Sequence, residues 1–144
     1  RPPRTYREDN VLIAYNYEDA LAQYLLRETE KGKYVNETAL YACTVMEPKQ
    51  CYLLITRNFI LFIKRAGFQV ESRFDMAAVD SLKTDKATIN LGVKVAKQSV
   101  VFGVSYTLVE KKFVCCVGEE PSEAVAQRVD HVIRSVRAAA MANK

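Results

Sequence analysis

The stretch from Cys51 to Arg65 restricts what this chain can fold into more than any other. Two runs rich in β-branched and aromatic residues, Cys51-Tyr52-Leu53-Leu54-Ile55 and Phe59-Ile60-Leu61-Phe62-Ile63, flank the polar Thr56-Arg57-Asn58. That pattern predicts an antiparallel hairpin, with Asn58 best suited to a positive φ at the turn. An antiparallel hairpin with one wet face alternates apolar and polar side chains. Here Leu53 and Ile55 are apolar, and so are Tyr52 and Leu54 between them. Both faces of the hairpin therefore need cover, from the chain itself or from a partner.

The length of 144 residues gives one domain with enough chain to bury a proper core. With 49% apolar and 26% charged residues and few Gly and Pro, the composition is that of a soluble globular domain. No apolar run approaches the roughly 20 residues of a membrane helix. The chain opens on Arg rather than on a signal sequence, which suggests a fragment of something longer. Cys43, Cys51, Cys115 and Cys116 lie in strand-like runs without metal-ligand spacing, so buried reduced thiols in a cytosolic protein are expected. The net charge is +4, but it is unevenly spread. Residues 49–112 carry 11 Lys and Arg against 5 Asp and Glu, whereas residues 1–48 carry 6 against 8. An anionic partner at loops of the sheet fits that distribution, and a nucleic-acid stripe does not.

Residues 1–16 read as a tether and anchor: Pro2 and Pro3 hold an extended start, and Val11 to Tyr15 is a short apolar segment. Asn16 is suited to cap a helix over residues 17–31, ended by Gly32. Its stripe of Tyr17, Leu21, Tyr24 and Leu25 is the internal candidate to cover the second face of the hairpin. Strands are expected at Ala39 to Met46, through the hairpin, at Phe68 to Phe74, at Met76 to Lys83, at Ala87 to Val93 and at Lys111 to Val117. Residues 94–110 fit either extended strands or a long ordered loop. Pro121-Ser122-Glu123 opens a final helix over 121–142, with Val125, Val129, Val132, Ile133 and Val136 on one face and Arg134 and Arg137 near its end. Seven short strands followed by one amphipathic helix predict an α+β, mainly β, partly open barrel or sandwich capped by the C-terminal helix. Pleckstrin-homology (PH) domains have this architecture. The PH-like domain would span residues 17–144, with the N-terminal helix as an extra element packed on the sheet.

Catalytic machinery is not legible. His131 is the only histidine and lies off the apolar stripe of the final helix, as a solvated surface residue would. No serine has a His or Lys partner at a diagnostic spacing, and neither a Walker loop nor a G-x-G-x-x-G is present. No catalytic residue, metal site or cofactor is expected, nor any aromatic RNA-binding motif. The basic residues are more informative. In the PH architecture the first-to-second, third-to-fourth and sixth-to-seventh strand connections lie together at the open end. Here they hold Lys49, then Lys64 and Arg65, then Lys94 and Lys97. Those five cations predict a site for a phosphoinositide headgroup or an anionic bilayer surface, at about 1 kcal/mol per Lys or Arg near such a surface. The usual headgroup motif of PH domains, a Lys followed by two basic residues flanking one position, is absent, because Phe59 stands two residues beyond Arg57. Weak anionic-lipid attraction is therefore expected rather than tight stereospecific binding.

The opening resembles the C-terminal PH-like domain of the vacuolar-protein-sorting-13 family of bridge-like lipid-transfer proteins. The residues that carry this are Arg1-x-Pro3-Arg4, Asp9-Asn10-x-Leu12-x-x-Tyr15, Ala20-x-x-Gln23-x-Leu25-Leu26 and the Leu53-Leu54-Ile55-Thr56-Arg57-x-x-Ile60-Leu61-Phe62 hairpin. The resemblance implies a non-catalytic adaptor that places one end of a larger lipid-transfer protein on organelle membranes at contact sites, on their cytoplasmic side and peripherally. The implied partners are phosphoinositides and other anionic lipids, an Arf-type small GTPase or another membrane adaptor, and the remainder of the protein. Docking of such a protein partner with little lipid binding is the alternative role, supported by the surplus of apolar residues on strand faces.

Overall fold

The structure, a computed structural model, describes residues 4–8, 11–15 and 19–142, with side chains from 20 to 140. Ten strands and two α-helices run in the order β1 (Arg4–Glu8), β2 (Val11–Tyr15), α1 (Asp19–Glu28), β3 (Ala39–Glu47), β4 (Cys51–Thr56), β5 (Phe59–Lys64), β6 (Val70–Asp75), β7 (Val79–Asp85), β8 (Thr88–Ser99), β9 (Gly103–Val117), β10 (Glu120–Pro121) and α2 (Glu123–Ala142). Strands β3 to β9 form one antiparallel sheet in the order β6-β5-β4-β3-β9-β8-β7, with the short β10 added to β9. The first strand therefore pairs with the last, folding the sheet into two halves, with β6 and β7 as the free edges. The α+β, mainly β, PH-like fold expected from the sequence is the one observed. The segment that reads as tether and anchor contains a hairpin of its own, in which β1 pairs β2 with Glu8 opposite Val11.

The hairpin β4–β5 forms as its sequence requires, with Leu53 opposite Phe62, Leu54 opposite Leu61 and Ile55 opposite Ile60. Its two faces enter two different cores. Leu53, Ile55, Ile60 and Phe62 point inward to meet Val125, Val129, Val132 and Ile133 of α2. On the outer face Leu54, Leu61 and Ile63 meet Ala22, Leu25 and Leu26 of α1 together with Tyr34, Ala39 and Ala42. The second face is thus covered from within. Leu21 packs at the margin of that cluster, and Tyr24 stands at its edge against Phe68 at 5.6 Å. Tyr17 and Asn16 of the expected stripe and cap lie outside the described residues.

The N-terminal helix is shorter than the expected 17–31. Glu30 and Lys31 sit at φ 50° and 56°, in left-handed backbone that no α-helix continues through. Contacts from another element hold that break. The Glu30 amide donates to the Phe68 carbonyl at 3.0 Å, and the Glu30 carboxylate accepts the Val70 amide at 3.1 Å. Helix end and β5–β6 turn are stitched together.

Other boundaries differ for local reasons. Asn58 does not take the positive φ expected of it; among the described residues the left-handed non-glycine positions are Glu30, Lys31, Phe68 and Lys86. The buried Thr56 hydroxyl organises the turn instead, accepting the amides of Phe59 at 2.9 Å and Asn58 at 3.3 Å and donating to Glu37 at 3.0 Å. The strand expected from Phe68 begins at Val70, because Gly67 and Phe68 form a left-handed turn. The strand expected from Met76 begins at Val79, because residues Met76–Ala78 form a single 3-10 turn that carries the chain between the two halves of the sheet. Ser122 caps α2, its hydroxyl accepting the Val125 amide at 3.2 Å, so the helix starts at Glu123 rather than 121. Arg134 turns back to β7, donating to the Leu82 carbonyl at 2.6 Å and to Asp130 at 2.8 Å, while Asp130 also accepts the Thr84 hydroxyl at 2.6 Å. All four cysteines are free and buried, as expected.

Candidate functional site

Register places the predicted cations. Cys51 pairs with Val45 on one side and Lys64 on the other, so the β3–β4 and β5–β6 connections leave the sheet at one rim. Lys49 stands in the first and Lys64-Arg65 at the second, and all three are exposed. Strand β9 passes Glu47 at Val114, and its preceding residues run on beyond the end of β3 past this same rim. Lys111 lies there. It pairs with the core-facing Leu91, and its ammonium sits 4.8 Å from the ring centroid of Phe62. That points its charge into the mouth between the two halves of the sheet.

Glu71 of β6 is the acid among these cations. It ion-pairs with Lys49. The hydrogen bond from Lys49 holds the Glu71 carboxyl below its ordinary value against a smaller opposing effect of desolvation, with Lys111 and Lys64 helping by their charge. The same bond holds the Lys49 ammonium above its ordinary value. Beneath them the Cys51 thiol is pushed up to about 11 by burial and by Glu71, against the pull of Lys111, Arg65 and Lys49. Arg65 lies over the Tyr52 ring at 5.4 Å, and Tyr52 stacks on Phe68 at 6.0 Å. The guanidinium is thereby placed against an aromatic surface, and its fork of donors suits a planar or tetrahedral anion.

The arrangement places Lys49, Lys64 and Lys111 around the Glu71 carboxylate, with Arg65 nearby over Tyr52. It can attract and orient anionic groups, and it carries no nucleophile poised beside a base. No group of three or more His, Cys, Asp or Glu with metal-binding geometry occurs among the described residues. His131 is exposed, with the Ser135 hydroxyl 3.5 Å from its ring nitrogen.

Lys94 and Lys97 are not part of this cluster. Both were placed in a strand connection by the sequence, but they lie on β8, which continues to Ser99. Lys94 is engaged by Asp80 at 3.5 Å, and Lys97 stands further out, opposite Ser105. Lys111, in contrast, was missed. It reads as an ordinary strand residue, and the available signal was its spacing of two from Phe113, which puts it on the core-facing side.

Residues 1–118 match the family described as intermembrane lipid transfer protein VPS13, C-terminal. The matched range ends just after β9 and leaves out α2. A curated relative, intermembrane lipid transfer protein vps13D of Dictyostelium discoideum, is 36% identical over 66 residues. That alignment takes in 45% of this chain and 1% of the relative's length. The chain thus corresponds to a small part of a much larger protein. No helix among the described residues is long and apolar enough to cross a membrane.

Proposed function

The chain belongs to the VPS13 family of intermembrane lipid transfer proteins, as its C-terminal domain, and from that membership we propose that it is a non-catalytic adaptor which holds its parent protein on a membrane by binding anionic lipid headgroups, phosphoinositides among them, peripherally at an organelle contact site. The observation that carries this reading is the gathering of Lys49, Lys64 and Lys111 around the Glu71 carboxylate at one rim, with Arg65 close enough for its charge to act on Cys51 beside them. A cluster of cations at the rim attracts a bilayer surface that bears anionic headgroups. Lys94, paired with Asp80, and Lys97 stand outside that cluster on β8. The carboxylate of Glu71 repels phosphate, which favours general anionic attraction over a tight headgroup pocket.

Co-sedimentation with vesicles of phosphatidylcholine alone, or with added phosphatidylserine or phosphoinositide, tests this. Binding should require the anionic lipid. The double variant Lys64→Ala/Arg65→Ala should weaken it by roughly thirtyfold, from about 1 kcal/mol for each lost cation. Binding that ignores lipid charge, or that survives the double variant, removes the electrostatic reading and leaves the docking of a small GTPase or another protein adaptor.

A further inference from the structure

The strands β8 and β9 are far longer than the rest of the sheet needs. β7 accompanies β8 only as far as the Val79–Val93 pair, and β3 accompanies β9 only from Val114 onward. Beyond Val93 and Val109 the two strands pair only with each other, from Lys94–Leu108 to Ser99–Gly103. Six paired residues make a bare ribbon about 20 Å long at the usual rise of a strand. It leaves the body at the rim that carries Lys49, Lys64 and Arg65, since it continues β9 past the end of β3.

The tip of this ribbon is apolar where a water-facing turn would be polar. Val100, Val101 and Phe102 are exposed to 106%, 80% and 85%. Val104, Tyr106 and Leu108, at alternate positions of β9, are each more than half exposed and share one face of the ribbon. Two backbone amides of the tip are nevertheless satisfied within the turn. Ser99 Oγ accepts the amides of both Val101 and Phe102 at 3.3 Å, and Gly103 closes the turn at φ 74°. Amides bonded in this way cost less to carry into a medium without water. Charge agrees. Between Asp85 and Glu110 the chain has three lysines, Lys86, Lys94 and Lys97, and no acid. Lys97 stands on the ribbon opposite the apolar face, and a lysine there can reach back to headgroups while its neighbours enter the acyl region.

We infer that the tip Val100-Val101-Phe102 is a wedge that inserts into the lipid bilayer beneath the headgroups drawn to the rim. This rests on the membrane reading above and adds to it a part that charge alone does not provide. The two are separable. Headgroup attraction at the rim is screened by salt, whereas insertion of an apolar tip is not.

The chain contains no tryptophan, so Phe102→Trp supplies a single reporter at the tip. With vesicles of phosphatidylcholine and phosphatidylserine, its emission should shift to the blue and be quenched by lipids brominated on the acyl chain. The variant Val100→Ser/Val101→Ser/Phe102→Ser should bind such vesicles at least tenfold more weakly than the parent, by a similar factor at low and at high salt. Vesicle binding without a blue shift or acyl quenching overturns the wedge and leaves the rim reading standing, with the ribbon then free for a protein groove. Absence of binding to vesicles of any charge overturns both.

Discussion

Cys51 marks where the inner core meets the rim, and its chemistry reports on both. The side chain faces inward among Leu53 and Phe62, while Glu71, Lys111, Arg65 and Lys49 act on it from above. Burial is the largest influence and raises the thiol from its ordinary 9 to about 11. The folded state therefore favours the neutral thiol more than the unfolded chain does. That contribution to stability is complete below the unfolded value near 9 and is lost as pH rises toward about 11. Two measurements check it. Melting temperature should fall across that window, and site-resolved alkylation read by peptide mass spectrometry should find Cys51 slow until the pH nears 11. Replacing Glu71 with Gln removes the carboxylate that helps hold the thiol up, and should bring the onset of alkylation to lower pH. At the same scale lies a lesson about legibility. Asn58 looked like the turn-former because Asn tolerates a left-handed backbone. The turn is instead built by the buried hydroxyl of Thr56, whose acceptor Glu37 is distant in sequence. Composition of the turn could not reveal that partner.

Helix α1 shows how an element acquires its place. Its residues are good helix formers, yet ten residues are too few to be stable alone in water. What holds it is the outer face of β3, β4 and β5, into which it presses Ala22, Leu25 and Leu26. Leu25 is fully buried there, so Leu25→Ala should cost about 2 to 5 kcal/mol of unfolding free energy in urea titration. A cost within the error of the titration would mean that α1 does not rely on the sheet. The need for such a cover was readable from the hairpin alone, since two apolar faces cannot both be wet. The end of the helix was not readable, because Glu30 is pulled into left-handed backbone by bonds to Phe68 and Val70. The ribbon 94–108 was ambiguous for a related reason. Alternation identifies a strand by the contrast between a buried and a wet face, and this ribbon has no layer on either side.

At the scale of the whole molecule, β9 joins the two halves of the sheet through its pairing with β3, and α2 closes the inner core between them. The family match ends at residue 118, before this helix. Yet Val125, Ala126, Val129, Val132 and Ile133 are all buried in that core. At about 1.5 to 3 kcal/mol for each of the four large aliphatic side chains, their removal is comparable to the roughly 5 to 15 kcal/mol that hold a domain together. A chain cut after residue 118 should therefore lose cooperative thermal unfolding and bind a hydrophobic dye. A cooperative melt retained by the shortened chain would show that the sheet closes without its helix.

The sequence by itself determined the number and order of the main strands, the two amphipathic helices and the demand for cover on both faces of Cys51–Arg65. These depend on local periodicity and on the energetic necessity of burying apolar surface, and both are written along the chain. Only the tertiary structure decided which cations meet. Lys49, Lys64 and Arg65 gather because neighbouring strands end at one rim, and Lys111 joins them through the side of the strand on which it falls. Lys94 and Lys97 depart because β8 and β9 keep pairing beyond the body of the sheet. Strand length and register are settled by partners far away in sequence, so the map of charge on the surface is a property of the fold.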